Sequence, residues 1–376
     1  MKEHFARKTI LITGAAGSVG QELVRQLLAL EPAEIRAVDN NETELFLLRE
    51  AYGTDGRLTA YLGDVRDGRK LENLCPGVDL IFHVAAYKHV TLSEYNPFDV
   101  VQTNILGVKN VIQAALAHKV PRVIFTSSDK AVNPTNVMGT SKLMGERLMT
   151  AANIVNPNGR QVFSSVRFGN VIGSRGSVVP IFAEQIRRGQ PVTVTDVHMT
   201  RFFMTLQEAA RLVLEAAVLA CGGEVLVTKM PVMRILDLAQ AMIELLAPVY
   251  GYDPDDLGIR FIGARSGEKL YEELMSQEET GRAVELERMF VILPAMRNFY
   301  QKIDYSYPGE VFPRAVPRAY VSSREKPLSV EQIKHYLREN EVLPEVSREL
   351  APWGLRTPQE VPRLQVLPVL QATGRR

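Results

Sequence analysis

Ser128, Asp129 and Lys130 put a hydroxyl, a carboxylate and an amine side by side, and a second amine, Lys142, closes the stretch TSSDKAVNPTNVMGTSK at 126–142. An adjacent carboxylate and amine can act as proton donor and acceptor toward one substrate, with pKa values set by mutual proximity and burial. Ser128 can hydrogen-bond a substrate oxygen. Met138 lies four residues before Lys142, so both fall on one helical face. A thioether takes no proton, so Met138 adds contact without acid–base chemistry. The plain alternative is a loop with capping Ser and Asp and two solvated lysines.

The elements around this stretch favour the chemical reading. Val123, Ile124 and Phe125 form an apolar run ahead of it, read as a buried strand over 120–126. In open α/β sheets ligands bind just beyond the carboxyl ends of strands. Further strands are expected at 9–13, 34–38, 58–62, 78–84 and 161–167, alternating with helix-length segments. That alternation implies parallel βαβ units covered on both faces. The first strand runs into Gly14, Gly17, Ser18, Val19 and Gly20 and then a helix, the setting in which glycines admit a pyrophosphate to a helix N-terminus. The spacing is G-x-x-G-x-x-G. Asp39 ends the second strand nineteen residues after Gly20. It is placed to accept from an adenosine ribose, favouring NAD over NADP, or else to cap the next helix. Asp64, with Val65 beside it, follows the third strand, either at the adenine end of the cofactor or as a helix cap. Ala85 and Ala86 follow the fourth strand and leave room for a cofactor close to the backbone. His83 reads as a core histidine, and no histidine spacing suggests a metal. Asn104, inside a long helix pattern over 96–118, is either buried with a partner or exposed.

The fold class expected is therefore α/β: a doubly wound parallel sheet (Rossmann-like) over 1–167, with a smaller C-terminal α/β substrate lobe over 168–295. Residues 296–352 would pack as an extension, and 353–376, with three prolines and little periodicity, would form a flexible tail. A strand at 224–227 falls in the second lobe, and 277–288 is either a helix or a solvated linker. Ser329 is expected to cap a late helix.

Net charge is +1, which gives no basic footprint for nucleic acid. Cys75 and Cys221 lie far apart, which argues against a disulfide framework and for a reducing cytoplasm. No apolar run reaches the ~20 residues of a membrane span, and the start of the chain has no signal-peptide pattern.

Several strings occur in order: TGAAGSVG, GDVRD, HVAAYKHVTLSEYNP, TNILGVKNV, SSDKAVNPTNVMGTSK, RFGNVIGSRGSVVPIF, TRFFMT and SGEKLYEEL. Together, over about 8–275, they resemble the nucleoside-diphosphate-sugar 4,6-dehydratases of capsule and surface-polysaccharide synthesis. These belong to the extended short-chain dehydrogenase/reductase superfamily. The resemblance implies NAD, a UDP-sugar (UDP-N-acetylglucosamine foremost), a UDP-4-keto-6-deoxy-hexosamine product and a homo-oligomer. It implies elimination by Asp129 and Lys130, contact of Ser128 with the C4 oxygen, and contact of Lys142 with the nicotinamide ribose. A UDP diphosphate needs cations, and Arg175, Arg201 and Arg265 are candidates because guanidinium matches phosphate bidentately, Arg201 foremost because it sits in TRFFMT. Lys88 and Asn170 are expected at the sugar or phosphate, and Glu268 at the nucleotide end or paired with Lys269. Met138 stands where most of the superfamily has Tyr, so the base for the C4 hydroxyl falls to Lys130, or to Asp129 through a water. A nucleotide-sugar 4-epimerase and a non-catalytic NAD-binding sensor are the competing readings.

Overall fold

The computed structural model describes residues 1–52, 55–155, 161–263, 267–295, 303–309, 316–343 and 346. The expected tail at 353–376 and candidate Arg265 lie outside them.

Six parallel strands form the frame: β1 (Thr9–Thr13), β2 (Glu34–Asp39), β3 (Leu58–Leu62), β4 (Leu80–His83), β5 (Arg122–Ser128) and β6 (Val162–Phe168). Their spatial order is β3-β2-β1-β4-β5-β6, so the winding reverses between β1 and β4. The strand order of this fold leaves its ligand crevice at that reversal. Side chains alternate across the sheet as the pleat requires. Ile10 and Ile12 pack on one face with helices Ser18–Leu28 and Leu206–Leu219, while Leu11 joins the other face. There Val123, Phe125 and Phe163 meet helices Gly68–Leu74, Gly107–Ala117 and Val137–Ala152.

The expected boundary at 167 marks where the chain first leaves this sheet, not where it leaves for good. Strand Val225–Thr228 returns to pair parallel with β6, and the antiparallel strands Met289–Ile292 and Ala283–Glu285 extend that edge. The expected second-lobe strand near 224–227 is thus the seventh strand of the main sheet. Its alternation could not say which sheet it would join. Segment 277–288 is neither one helix nor a linker. Helix Gln277–Thr280, with a Ser276–Glu279 capping box, leads into strand Ala283–Glu285. The second lobe has its own core, in which helices Val178–Arg187, Ile235–Leu246 and Val330–Glu339 pack together. Ser329 caps the last of these by accepting from Gln332 N–H.

The long helix expected over 96–118 is broken. Helices Val90–Tyr95 and Pro97–Val100 flank Asn96, and the chain then widens into a π-helical turn at Val101–Leu106 before helix Gly107–Ala117. Such turns are rare and recur at functional sites. This one contains Asn104, which is buried: its Oδ1 accepts from Tyr87 N–H at 2.9 Å, and its Nδ2 donates to Tyr87 O at 3.0 Å and Ser141 Oγ at 2.9 Å. It pins the segment after β4 to the helix that carries Lys142. No helix among the described residues is long and apolar enough to cross a membrane.

Candidate active site

The carboxyl ends of the strands open on a cleft of about 610 Å³. One half is built by backbone. Gly14 has φ +70°, and a Cβ there would lie 2.6 Å from Ala85 N; at Gly20 it would lie 2.2 Å from Gly14 O. Only glycine lets β1, β4 and the following helix close this tightly. Gly17, Ser18 and Val19 line the cleft where helix Ser18–Leu28 starts without a side-chain cap. Its free N–H groups suit a phosphate anion. Thr103 Oγ1 and Ser127 Oγ, both buried, line the same cleft with no hydrogen-bond partner among the described residues. The cradle and the orphaned hydroxyls fit a dinucleotide.

Asp39 lines this half, and its carboxylate accepts from Ala16 N–H and Asn41 N–H, both at 3.0 Å. It does not cap the next helix; Asn41 does, accepting from Glu44 N–H at 3.2 Å. Asp64 also lines the cleft. Its ion pair with Arg66 at 2.7 Å, together with Asn40, holds its pKa well below the usual range, at about 2. The cap of helix Gly68–Leu74 is Asp67, accepting from Lys70 N–H. Val65, Ala85 and Ala86 complete this wall.

The other half carries the chemistry. β5 ends at Ser128, and a short turn places Lys130 on the cleft wall beside Ser128, Met138 and Lys142. Asn136 starts the Lys142 helix by accepting from Gly139 N–H at 2.8 Å, and a Cβ at Gly139 would meet Lys130 O at 2.2 Å. The turn and the helix are therefore locked together. Asp129 is fully buried beneath Lys130. Its Oδ1 accepts from Ser128 Oγ at 2.7 Å, Lys130 N–H at 2.9 Å and Lys130 Nζ at 3.0 Å. Among the described residues Asp129 lines neither this cleft nor the recess behind it. Lys130 keeps 22% of its side chain exposed. Burial disfavours its charge, but the carboxylates of Asp129 and Glu272 outweigh that and raise its pKa. Lys142 is buried. Its Nζ donates to Thr126 O at 2.8 Å and sits 4.7 Å from the Phe125 ring centre. Burial lowers its pKa to about 8, with Glu146 opposing. Met138 is 3% exposed.

Behind Lys130 the cleft continues into a recess of about 160 Å³, with Lys130 and Asn170 lining both spaces. Asn170 Oδ1 accepts from Lys130 Nζ at 3.3 Å. Arg201 and Glu268 also line the recess. Arg201 already donates to the carbonyls of Thr200 at 2.8 Å, Leu270 at 3.2 Å and Lys269 at 2.7 Å, so it fastens the 269–272 turn. Lys269 Nζ donates to Val132 O at 2.9 Å and ties that turn to the Lys130 loop. Arg175, one of the diphosphate candidates, lines the cleft. It spans the glycine turn, with Nη2 on Ala16 O at 2.5 Å, Nη1 on Glu44 at 2.6 Å and its N–H on Ser18 Oγ at 3.3 Å. Lys88 Nζ donates to Arg175 O at 2.7 Å. These two residues bridge the cleft over the cofactor half.

Sequence reasoning missed Glu272, which lines the recess, and the clamp at Arg167. The Arg167 guanidinium is buried between Glu146 at 2.7 Å and Glu279 at 2.9 Å, joining β6, the Lys142 helix and the 277–280 helix. Both lie within the matched strings SGEKLYEEL and RFGNVIGSRGSVVPIF, but only the fold brings these charges to their partners. No group of three or more His, Cys, Asp or Glu among the described residues could hold a metal.

Residues 10–294 match the model of a family described as polysaccharide biosynthesis protein. An uncharacterized membrane protein of Methanocaldococcus jannaschii is 47% identical over 88% of this chain and 96% of its own length. A UDP-N-acetylglucosamine 4,6-dehydratase (inverting) of Campylobacter jejuni is 38% identical over 80% of this chain and 87% of its own. A UDP-glucose 4-epimerase of Rickettsia massiliae is 37% identical over 89% and 96%. Against two larger polysaccharide biosynthesis relatives the chain spans just under half, 47% and 46%, of their length. Among solved structures, Pen from Bacillus thuringiensis superposes with a TM-score of 0.81 at 40% identity, over 89% of this chain and 98% of its own.

Proposed function

The chain belongs to the polysaccharide biosynthesis protein family, and we propose that within it the protein dehydrates a nucleotide sugar, UDP-N-acetylglucosamine foremost, to a 4-keto-6-deoxy sugar. The observation that carries the reading is Lys130, a lysine held cationic by a buried carboxylate and exposed on the cleft wall where the sugar would lie. An epimerase, which only withdraws and returns hydride at C4, has no use for a proton donor at the departing C6 hydroxyl.

A nicotinamide cofactor in the cleft would take up and return the hydride. Gly14, Gly17 and Gly20 admit its diphosphate, and Asp39 faces its ribose, which favours NAD because a 2′-phosphate would meet a carboxylate. Lys142 holds the nicotinamide end from one helix turn beyond Met138. Ser128 is placed to hydrogen-bond the C4 oxygen. Lys130 donates the proton that lets the C6 hydroxyl leave as water, and Asp129 keeps Lys130 charged for that step. The protein would act as a homo-oligomer, as the family resemblance implies.

The second reading, a 4-epimerase, is favoured by the Rickettsia relative matched along nearly its whole length. Mass spectrometry of UDP-N-acetylglucosamine incubated with the protein separates the two. Loss of the mass of one water supports dehydration; an unchanged mass with a new sugar configuration supports epimerisation. Binding of NAD without turnover of any UDP-sugar would refute both.

A further inference from the structure

Elimination needs a base for the C5 proton as well as an acid for the C6 hydroxyl, and Asp129 lines neither the cleft nor the recess among the described residues. Another carboxylate does. Glu272 lines the recess behind Lys130, with 3% of its side chain exposed. Its Oε1 lies 3.7 Å from Lys130 Nζ and 3.7 Å from Arg201 Nε, both too long for a hydrogen bond. Its Oε2 is buried with no partner among the described residues. An unsatisfied buried carboxylate oxygen costs free energy unless something fills its lone pairs.

The backbone of Glu272 is fixed on both sides. Its N–H donates to Ser322 Oγ at 3.0 Å, and its C=O accepts from Ser322 N–H at 2.9 Å. Ser322 Oγ in turn contacts Thr200 Oγ1 at 2.9 Å. Arg201 spends Nη1 and Nη2 on three carbonyls, and its Nε faces Glu272 Oε1 only at ion-pair distance, 3.7 Å. Burial raises the pKa of Glu272. Asp129 adds to that rise, while Lys130, Arg201 and Lys269 oppose it without cancelling it. A carboxylate of raised pKa is the stronger base.

We propose that Glu272 is a catalytic residue, the base that takes the C5 proton of the oxidised sugar while Lys130 gives a proton to the departing C6 oxygen. The inference rests on the dehydratase reading. The balance is closed. The C5–H bond breaks to Glu272, its electron pair forms C5=C6, the C6–O bond breaks, and the oxygen leaves as water with the Lys130 proton. The C4 hydroxyl proton passes to solvent while Lys130 is still charged, Lys130 regains a proton from solvent after the water departs, and Glu272 returns its own to C5 when C6 takes back the hydride. Asp129 then acts as the positioning residue that holds the charge of Lys130.

The test compares the wild-type holoenzyme with Glu272→Gln and Glu272→Asp, using UDP-N-acetylglucosamine unlabelled and deuterated at C5. For Glu272→Gln, water loss should fall by ~10²–10⁴-fold, the range for losing a general base. Oxidation at C4, read as reduced-nicotinamide absorbance on mixing, should persist and accumulate, with KM changed less than about threefold. Glu272→Asp keeps the charge but withdraws it by one methylene. It should recover part of the rate and show a larger isotope effect from C5 deuterium. If Glu272→Gln fails to fold, the Glu272→Asp isotope effect decides alone, and an unaltered effect overturns the proposal. Water loss within threefold of wild type in Glu272→Gln overturns it too, as does loss of C4 oxidation together with elimination, the pattern of a purely structural role. A wild-type enzyme that leaves the sugar mass unchanged refutes the dehydratase reading itself, a different result from any of these.

Discussion

Lys142 is held at a cost that can be measured. The residue is 6% exposed, and its ammonium makes one hydrogen bond, to Thr126 O, and sits over the face of Phe125. Burial takes its pKa from 10.5 to about 8. At about 1.4 kcal/mol per pKa unit that fall costs about 3 kcal/mol of folding stability at neutral pH. The carbonyl bond and the ring contact return about 1 kcal/mol each. Lys142→Met, close in volume, should therefore stabilise the nucleotide-free protein by about 1–2 kcal/mol at pH 7 while abolishing turnover. The sign of the pH dependence is fixed. The folded pKa lies below the unfolded one, so between about 8 and 10.5 the unfolded chain binds more protons and the penalty fades as pH rises. Below about 8 the penalty is complete; above 10.5 it is gone. Urea unfolding of wild type and variant, stripped of nucleotide, should show a gap at pH 7 that closes by about pH 10. A variant less stable than wild type at both pH values would refute the claim that the lysine is kept against its desolvation cost for the ligand.

Other substitutions probe the frame around it. Gly20→Ala would press a methyl within 2.2 Å of Gly14 O, so dinucleotide retention on gel filtration should fall at least tenfold with little change in far-UV circular dichroism. Arg167→Met leaves Glu146 and Glu279 buried without their cation and should cost about 3–5 kcal/mol in urea unfolding; adding Glu146→Gln and Glu279→Gln should recover a large part of it. Arg175→Ala removes the contacts to Ala16 O and Glu44 across the cofactor half. It should speed dinucleotide release in stopped-flow fluorescence while moving unfolding by less than about 1 kcal/mol, since the pair is largely exposed. An unchanged release rate would show that the bridge does not gate the cleft.

The frame was legible because its signals are local. β1, the glycine turn, Asp39 and β5 each follow from residue type within a few positions, and they converge because parallel winding brings the ends of β1 and β4 together. The misplacements share one cause. Strand Val225–Thr228 has the pattern of any short buried strand, and its partner β6 lies some sixty residues upstream. The break at Val101–Leu106 depends on Asn104 reaching Tyr87 and Ser141, contacts that no helical periodicity encodes. The type of Arg175 marks it as a phosphate candidate, but its reach to Ala16, Ser18 and Glu44 across the glycine turn is set by the fold.

The same limit bears on the chemistry. Adjacency in sequence makes Asp129 and Lys130 look like an acid and a base facing one substrate. Yet in the short turn after β5 Lys130 lines the cleft while Asp129 is fully buried beneath it. Asp129 spends Oδ1 on three donors, and its Oδ2, buried with no partner among the described residues, lines neither the cleft nor the recess. A carboxylate that does line the space beside Lys130 comes from another part of the chain. It is Glu272, whose turn Ser322 and Arg201 hold there, 142 positions beyond its partner. With Met138 inert to protons, the proposed pair of Lys130 and Glu272 joins the turn after β5 to the 269–272 turn, so substitutions at Ser322 that loosen the latter should slow elimination before they slow hydride transfer.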